Sequence, residues 1–343
     1  MTLAATIPAE RRTTPGQPLI EARGLSVEYG WGDEAVRAVD QVDLAITPGE
    51  ILGLAGESGS GKSTVANALM QVLRNPAHIA GGEVLFQGDD ITRKTKAQLR
   101  RYRWRNVSMV FQSAMNALNP VMRVGDQFVD MMRAHESISK RDAHVRAGEL
   151  LDLVGIDPRR LRAYPHELSG GMRQRTIIAM ALALEPELVI MDEPTTALDV
   201  VVQREILQQI GALQRELGFA VLFITHDLSL LVEIAHRIAI MYAGEIVEQA
   251  PARELHTRPL HPYTQGLLHS FPPLQGPIER MTGIPGSPPD LADAPSGCRF
   301  HPRCPHCDPD NEGLFKLQTE VRPVLQEIAP GHLVACHLVE EES

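Results

Sequence analysis

The sequence is poor in cysteine, in positive charge and in long apolar runs. Its 343 residues include four cysteines, and none precedes Cys298. This absence argues against a disulfide framework for most of the chain. Lys and Arg number 33 against 43 Asp and Glu, and a net charge of −10 disfavours non-specific binding to nucleic acid. The longest apolar run, 177–184, is far shorter than the ~18 residues that cross a bilayer, so a membrane role requires a partner.

Composition divides the chain into three parts. Residues 1–18 lack a continuous apolar core of signal-peptide length, which predicts a disordered cytosolic tail. Residues 19–250 carry the apolar patterns of a folded domain. Residues 251–343 begin with a proline-rich stretch of little periodicity, which predicts an irregular extension.

The apolar patterns of residues 19–250 predict an α/β fold. Short continuous apolar runs are typical of strands buried on both faces, and they occur at 51–55, 107–111, 188–191, 219–224 and 238–242. A helical stripe over 202–217 separates two of them, so a mostly parallel sheet is expected. Alternation within 19–48 predicts antiparallel strands, and helical patterns within about 113–175 predict a helical insertion.

A phosphate-binding motif follows the run at 51–55. It comprises Gly56, Glu57, Ser58, Gly59, Ser60, Gly61, Lys62, Ser63 and Thr64. The glycines let backbone N–H groups converge on phosphate oxygens, and the helix that follows begins with its positive end at the same place. Lys62 would reach the β- and γ-phosphates, and Ser63 would place its hydroxyl on Mg²⁺. A plain glycine-rich turn is the alternative, and the strand–helix context disfavours it.

Two carboxylates end the apolar run at 188–191. Asp192 at a strand end is suited to hold Mg²⁺, and Glu193 is suited to polarise a water for attack on the γ-phosphate. The alternative is a pair of acids at the start of a surface loop. The presence of a phosphate loop in the same chain favours the first interpretation.

A second candidate anion-binding nest stands at the start of an apolar helix pattern. Its residues are Ser169, Gly170 and Gly171. Two nests in one chain are explained by a composite site, in which this one caps a nucleotide bound to another subunit. The alternative is an ordinary helix N-cap followed by a flexible turn.

These motifs, in this order, resemble the nucleotide-binding subunit of an ATP-binding cassette (ABC) transporter over residues 19–250. The resemblance implies a P-loop domain with a RecA-like parallel sheet core, an antiparallel β subdomain and a helical signature subdomain. It implies that Asp199 lies at a dimer interface. It also implies that Tyr29 stacks on adenine, with Trp31 as the alternative.

The same resemblance implies how the hydrolytic site is composed. Catalysis would depend on Glu193, on His226 as the switch histidine at the γ-phosphate, and on Gln112, which senses Mg²⁺ and faces the membrane partner. The Mg²⁺ ligands would be Ser63, Gln112 and Asp192. Because every hydrolytic position is filled, we expect an active ATPase, and a non-hydrolysing structural subunit is disfavoured.

Three further segments resemble the oligopeptide/dipeptide importers, at 116–120, 261–264 and 297–304. The resemblance implies ATP-driven peptide import with ATP and Mg²⁺, at the cytoplasmic face of a prokaryotic membrane. Implied partners are two permeases, a second ATP-binding subunit (a heterodimer before a homodimer) and an external substrate-binding protein, without nucleic acid. Alternatives are another cargo of this family, such as nickel or glutathione, and a soluble ABC ATPase outside transport.

The four cysteines lie together near the end of the chain, at Cys298, Cys304, Cys307 and Cys336. The resemblance implies a four-iron, four-sulfur cluster, and four thiolates match its ligand count. Cys307 matches the family in number, whereas its spacing from Cys304 is shorter than the family pattern. A Cys₄ zinc site and four metal-free thiols stay as alternatives.

Overall fold

The computed structural model describes residues 17–112, 117–196, 198–270 and 283–339. The chain forms two compact units, each built from separated stretches of sequence. The first unit comprises Met1–Ile20, Ile46–Glu50 and Phe86–Phe223, and the second comprises Glu21–Ala45, Ile51–Leu85 and Ile224–Ser343. The tail predicted for 1–18 lies outside the described residues up to residue 16, as does part of the segment at 116–120.

Each of the five predicted apolar runs falls mainly on a strand, and helices lie between successive runs. The strands are β1 (Ile20–Tyr29), β2 (Val36–Ile46), β3 (Ile51–Ala55), β4 (Ala77–Phe86), β5 (Asp89–Asp90), β6 (Val107–Val110), β7 (Leu188–Asp192), β8 (Ala220–Thr225), β9 (Arg237–Tyr242), β10 (Glu245–Pro251), β11 (Gln326–Ala329) and β12 (His332–Val334). The α-helices are α1 (Lys62–Leu69), α2 (Lys96–Arg105), α3 (Val124–His135), α4 (Lys140–Leu153), α5 (Gly170–Leu182), α6 (Val200–Leu217), α7 (Leu228–Ile234), α8 (Ala252–Thr257), α9 (Pro262–His269) and α10 (Glu312–Glu320). Among the described residues, no helix is both long enough and apolar enough to span a bilayer.

The second unit contains the strand that leads into the phosphate loop. β3 pairs in parallel with β9, from Leu52 opposite Arg237 to Ala55 opposite Ile240. β9 continues antiparallel into β10, β10 pairs with β12, and β12 pairs with β11. Every residue of β3 is buried, in agreement with its continuous apolar sequence.

The hairpin of β1 and β2 confirms the antiparallel strands predicted within 19–48. The two strands are neighbours in a second sheet, in which β4 lies on the other side of β1. Only residues 30–35 connect them. A connection this short cannot make the crossover that parallel neighbours require, so the pair is antiparallel.

The first unit contains the parallel pair β6 and β7, with β8 next to β7. The predicted helical insertion is present as α3 and α4. Both helices bury an apolar stripe at helical spacing, which in α3 includes Val124, Phe128 and Met132. Burial of each such side chain contributes about 1.5–3 kcal/mol, so tertiary packing stabilises these helices more than intrinsic propensity does.

The described part of the extension contains helices and strands where its proline content predicts an irregular chain. Pro262 occupies the first turn of α9, where its missing N–H removes no hydrogen bond, so this proline begins a helix. The Nδ1 atom of His261 caps the same helix by accepting the N–H of Tyr263 at 3.0 Å. The buried Glu248 of β10 accepts the N–H groups of Leu260 and His261 at 2.7 and 3.0 Å, and it accepts Nε2–H of His332 at 2.8 Å.

The buried imidazole of His261 makes the stability of the fold depend on pH. Burial lowers the pKa of His261 to about 4 from its ordinary value near 6.5. Because the folded-state pKa is the lower one, the stabilisation is complete above about pH 6.5 and is lost as the pH falls towards about 4. The loss for this group amounts to about 3 kcal/mol.

We therefore expect the variant His261→Asn to flatten this pH dependence. Asparagine retains an oxygen that can accept the Tyr263 N–H, and it does not titrate. The free energy of unfolding is measured by urea titration at about pH 7.5 and about pH 5. It should fall less in the variant, because the wild type takes up as much as one additional proton at His261 when it unfolds. The exposed His256, changed to Asn, is the control. The same pH dependence in wild type and His261→Asn would contradict the assignment.

Candidate functional site

The candidate phosphate loop connects β3 to α1 and packs against backbone on two sides. Gly56 and Gly61 have φ angles of 150° and 102°. A Cβ on Gly56 would lie 2.1 Å from the carbonyl oxygen of Met241, and one on Gly61 would lie 2.4 Å from the carbonyl oxygen of Ala38. The two glycines are therefore required by the available space as well as by the backbone conformation.

Lys62 is buried at the start of α1 and binds its own loop. Its ammonium donates to the carbonyl oxygens of Gly56 and Glu57 at 2.8 and 2.7 Å, and to Oγ of Ser60 at 3.3 Å. The side chain is 6% exposed. A buried ammonium held by loop carbonyls is placed where an incoming phosphate oxygen could replace those acceptors. Ser58 and Gly59 are exposed, and Ser63 is partly exposed beside Lys62.

Tyr29 lies beside the phosphate loop. Its hydroxyl is 3.2 Å from Oγ1 of Thr64, and the residue is 38% exposed. Trp31 stacks on His78 with ring centroids 3.9 Å apart, so its ring already has an aromatic partner. The contact with Thr64 supports Tyr29 over Trp31 as the residue close to a bound nucleotide, and its stacking role stays a prediction.

In the first unit, the end of β7 brings Gln112 and Glu193 together. Asp192 is the buried last residue of the strand, and Glu193 follows with a φ of 47°. The amide of Gln112 donates to Oε2 of Glu193 at 2.9 Å, and the hydroxyl of Thr196 donates to the same oxygen at 3.0 Å. The carboxylate is thus held in one orientation by two donors, as a positioned general base requires.

The serine–glycine segment begins α5 and approaches the start of α6. The hydroxyl of Ser169 accepts the N–H of Met172 at 3.2 Å, so Ser169 is an N-cap. A Cβ on Gly171 would lie 2.9 Å from Cγ1 of Val202. Asp199 caps α6 through the N–H groups of Val201 and Val202. Ser169 and Asp199 are exposed, and Gly170 and Gly171 are partly exposed.

His226 follows β8 and belongs to the second unit. It is exposed. On its carboxyl side, Asp227 donates its N–H to Oγ1 of Thr225 at 3.1 Å and caps α7 by accepting the N–H of Ser229 at 3.0 Å. These bonds fix the backbone on both sides of the histidine, and they leave its role in catalysis a prediction.

Two residues of the extension contact the phosphate loop and were not predicted as site residues. The hydroxyl of Tyr263 accepts the N–H of Glu57 at 2.8 Å. The guanidinium of Arg303 makes two hydrogen bonds to the Glu57 carboxylate, at 2.7 and 3.0 Å. They lie 206 and 246 residues after Glu57, so no local spacing indicates the contact. Their only sequence signal is that each belongs to a segment resembling the importers.

Burial and hydrogen bonding act in opposite directions on Arg303. Burial alone lowers the pKa of this guanidinium, whereas its bonds with Glu57 and Tyr242 raise the pKa above the ordinary value. The side chain is therefore charged, and its charge faces the single acidic residue of the phosphate loop.

The sequence matches the ABC transporter family over residues 39–196 and the C-terminal region of oligopeptide/dipeptide transporters over residues 247–310. A probable peptide ABC transporter ATP-binding protein of Sinorhizobium fredii is 45% identical, over 93% of this chain and 94% of that protein. The chain belongs to the oligopeptide/dipeptide family of ABC transporter ATP-binding proteins. The family predicted from the motifs is thereby confirmed.

Other relatives of this ABC protein agree in sequence and in fold. The oligopeptide transport ATP-binding protein OppD of Escherichia coli is 41% identical, over 98% of both chains. The dimeric structure of an ATP-binding cassette in a post-hydrolysis state, bound to ADP and Pi, has a TM-score of 0.61 at 29% identity. It covers 68% of this chain and 99% of that chain. The predicted fold class and ATPase class are confirmed.

The four cysteines of this ABC protein are free and partly exposed. Burial raises the pKa of Cys298 to about 12, and electrostatic interactions with Cys336 and Cys304 act in the same direction. Burial likewise raises the pKa of Cys336 to about 11, and that of Cys307 is raised as well. Among the described residues, however, no group of three or more His, Cys, Asp or Glu side chains could hold a metal ion. The thiols of Cys298, Cys304 and Cys336 are close enough to interact electrostatically. The arrangement of the four thiols does not fit a metal site.

The glycines of the phosphate loop differ in what they can tolerate. In Gly56→Ala, the new Cβ would overlap the backbone carbonyl of Met241, and no change of side-chain rotamer can relieve this overlap. We therefore expect a destabilisation above about 3 kcal/mol. Gly59 has nothing within 4 Å of its Cβ position, and Gly59→Ala should cost only the backbone strain of about 1–2 kcal/mol. Calorimetric Tm values test the difference, and equal values for the two variants would contradict it.

Proposed function

We propose that this protein hydrolyses ATP to power the import of peptides through a membrane ABC transporter. The observation that carries the proposal is the hydrogen bond from Gln112 to Glu193 at the end of β7, in a chain that also has an intact phosphate loop. Peptides are the proposed cargo because the C-terminal region matches oligopeptide/dipeptide transporters. Relatives named as peptide transport proteins support the same cargo.

In this proposal the phosphate loop holds the nucleotide. Backbone N–H groups of the loop and the ammonium of Lys62 bind the phosphates, and Tyr29 packs against adenine. Oxygen atoms of Ser63, Gln112 and Asp192 would hold Mg²⁺, and a hydroxyl, an amide and a carboxylate suit this hard cation. Mg²⁺ would neutralise charge on the phosphates during transfer.

Hydrolysis in this proposal depends on Glu193 and His226. The carboxylate of Glu193 removes a proton from the attacking water, while Gln112 holds that carboxylate in place. His226 binds the γ-phosphate. We propose that a second ATP-binding subunit completes the site with its counterparts of Ser169, Gly170, Gly171 and Asp199. The dimeric cassette among the structural relatives supports this arrangement.

The partners and location form part of the same proposal. Residues 19–250 act as the nucleotide-binding domain, with a helical subdomain at about 113–175, and residues 251–343 as the extension. The chain would assemble with two permeases, a second ATP-binding subunit and an external substrate-binding protein. The second ATP-binding subunit would be a different protein, and a second copy of this chain is the alternative. It would lie at the cytoplasmic face of the cell membrane. Closure of the two ATP-binding subunits would drive alternating access in the permeases.

The variant Glu193→Gln tests the catalytic role. The amide cannot accept the proton from water, so we expect ATP binding to persist and turnover to fall by roughly 10²-fold or more. Nucleotide binding and phosphate release are measured on the same preparation. Glu216→Gln, at an exposed position of α6, is the matched control and should retain turnover. Undiminished hydrolysis by Glu193→Gln would contradict the assignment.

The four-iron, four-sulfur cluster stays a prediction that rests on the family resemblance alone, and the arrangement of the described thiols does not fit a metal group. We expect protein purified under strict exclusion of oxygen to be brown and to contain about four iron atoms per chain. Metal analysis distinguishes this from about one zinc atom in colourless protein. Cys307→Ser tests the cysteine with unusual spacing, and unchanged iron content in this variant would exclude it as a ligand.

A further inference from the structure

Glu57 is bonded through each of its polar groups. Its backbone N–H is accepted by the Tyr263 hydroxyl at 2.8 Å, and its carboxylate is held by Arg303 at 2.7 and 3.0 Å. Its carbonyl oxygen accepts the ammonium of Lys62 at 2.7 Å. Two of these three partners belong to the extension, so the extension holds the phosphate loop at its second residue.

Arg303 is itself fixed in position. Its Nε donates to the carbonyl oxygen of Pro285 at 2.7 Å, and its guanidinium lies 5.7 Å from the ring centroid of Tyr242. The residue is 7% exposed. A guanidinium held by a carbonyl and an aromatic ring presents its two remaining nitrogen atoms in one plane, which matches both oxygens of a carboxylate.

Tyr263 is fixed by aromatic packing. The residue is fully buried, with its ring centroid 4.6 Å from that of Tyr242 and 5.4 Å from that of Phe300. Its hydroxyl therefore has a fixed location against the loop. An acceptor held in this way keeps the Glu57 N–H directed towards the extension.

The contact also removes an electrostatic conflict. Glu57 is the one acidic residue between Gly56 and Thr64, and an unpaired carboxylate there would repel the phosphates that the loop binds. The Arg303 charge compensates it at hydrogen-bond distance. A loop that is already ordered and already neutralised has less to reorganise when nucleotide binds.

We propose that Arg303 and Tyr263 are positioning residues of the nucleotide site, which act through Glu57 to hold the phosphate loop ordered and electrostatically neutralised. This inference rests on the proposed role of the loop in binding nucleotide. It assigns the extension a direct part in nucleotide affinity. Neither residue contacts the nucleotide in this proposal, so the effect is on binding of the phosphates and not on the attacking water.

Titration calorimetry with MgADP on the purified full-length chain tests the proposal. Arg303→Met should weaken binding roughly tenfold, because the Glu57 carboxylate loses its counter-charge. The double variant Glu57→Gln with Arg303→Met should bind several-fold more tightly than Arg303→Met alone, because the uncompensated charge is then absent. Tyr263→Phe retains the ring and should weaken binding by roughly threefold with little change in Tm.

Arg322→Met is the matched control, because Arg322 is an extension arginine that pairs with Asp40 and Glu245. It should bind MgADP within about twofold of wild type. A similar loss of affinity in Arg322→Met would show that any loosening of the extension weakens binding, which would overturn the proposal.

The remaining outcomes separate this proposal from the proposed function. The proposed function requires that the wild type bind MgADP and that Lys62→Ala abolish this binding. If the wild type shows no such binding, the proposed function is wrong. If that requirement is met and Arg303→Met binds like the wild type, the positioning role is overturned and the function stands. Equal affinity of Arg303→Met and the double variant would show that the lost affinity does not come from the uncompensated Glu57 charge, which also overturns the proposal. If Arg303→Met does not fold, Tyr263→Phe decides, and wild-type affinity in that variant overturns the proposal.

Discussion

The phosphate loop passes so close to the carbonyl groups of Met241 and Ala38 that Gly56 and Gly61 cannot carry a side chain. This close approach leaves no space for a side chain between the loop and the carbonyl groups of β9 and β2, so both strands have to lie in fixed places. Backbone hydrogen bonds supply the necessary precision. Gly244, in the turn after β9, donates its N–H to the Ser60 carbonyl at 3.0 Å, and it accepts the Asp40 N–H at 2.9 Å. Backbone hydrogen bonds of Gly244 thus connect the phosphate loop on one side and β2 on the other to the turn after β9.

Charge pairs of arginine contribute to the attachment of the extension to this region. Arg299 and Arg322 each bond Asp40 and Glu245. Burial raises the pKa of Glu245, and the two arginines oppose that change. Removal of one arginine would leave a largely buried carboxylate with less compensation, which costs more than the pair contributes when intact. The cysteine-bearing segment is therefore held by residues that alternate with the cysteines themselves, as in Arg299 beside Cys298 and Arg303 beside Cys304.

Elements whose signal is local were predictable from sequence. The apolar runs at 51–55 and 188–191 form β3 and β7, because short, continuously apolar segments are typical of strands buried on both faces. The strand–loop–helix context of the phosphate loop was predictable for the same reason. The contact of Arg303 with Glu57 was not, since partners 246 residues apart leave no periodicity to detect. The helix α9 is not predicted by the proline-rich composition of its segment, because a proline in the first turn, such as Pro262, favours a helix.

The pairing of β12 with β10 has a consequence for how the chain ends. β10 lies between β9 and β12, and its residues Ile246, Val247 and Ala250 are buried. Without residues 326–334, β10 would become an outer strand with unpaired backbone donors and acceptors. Such an edge is a template for pairing with the strand of another molecule. The last segment of the extension therefore also protects this protein from self-association through its sheet.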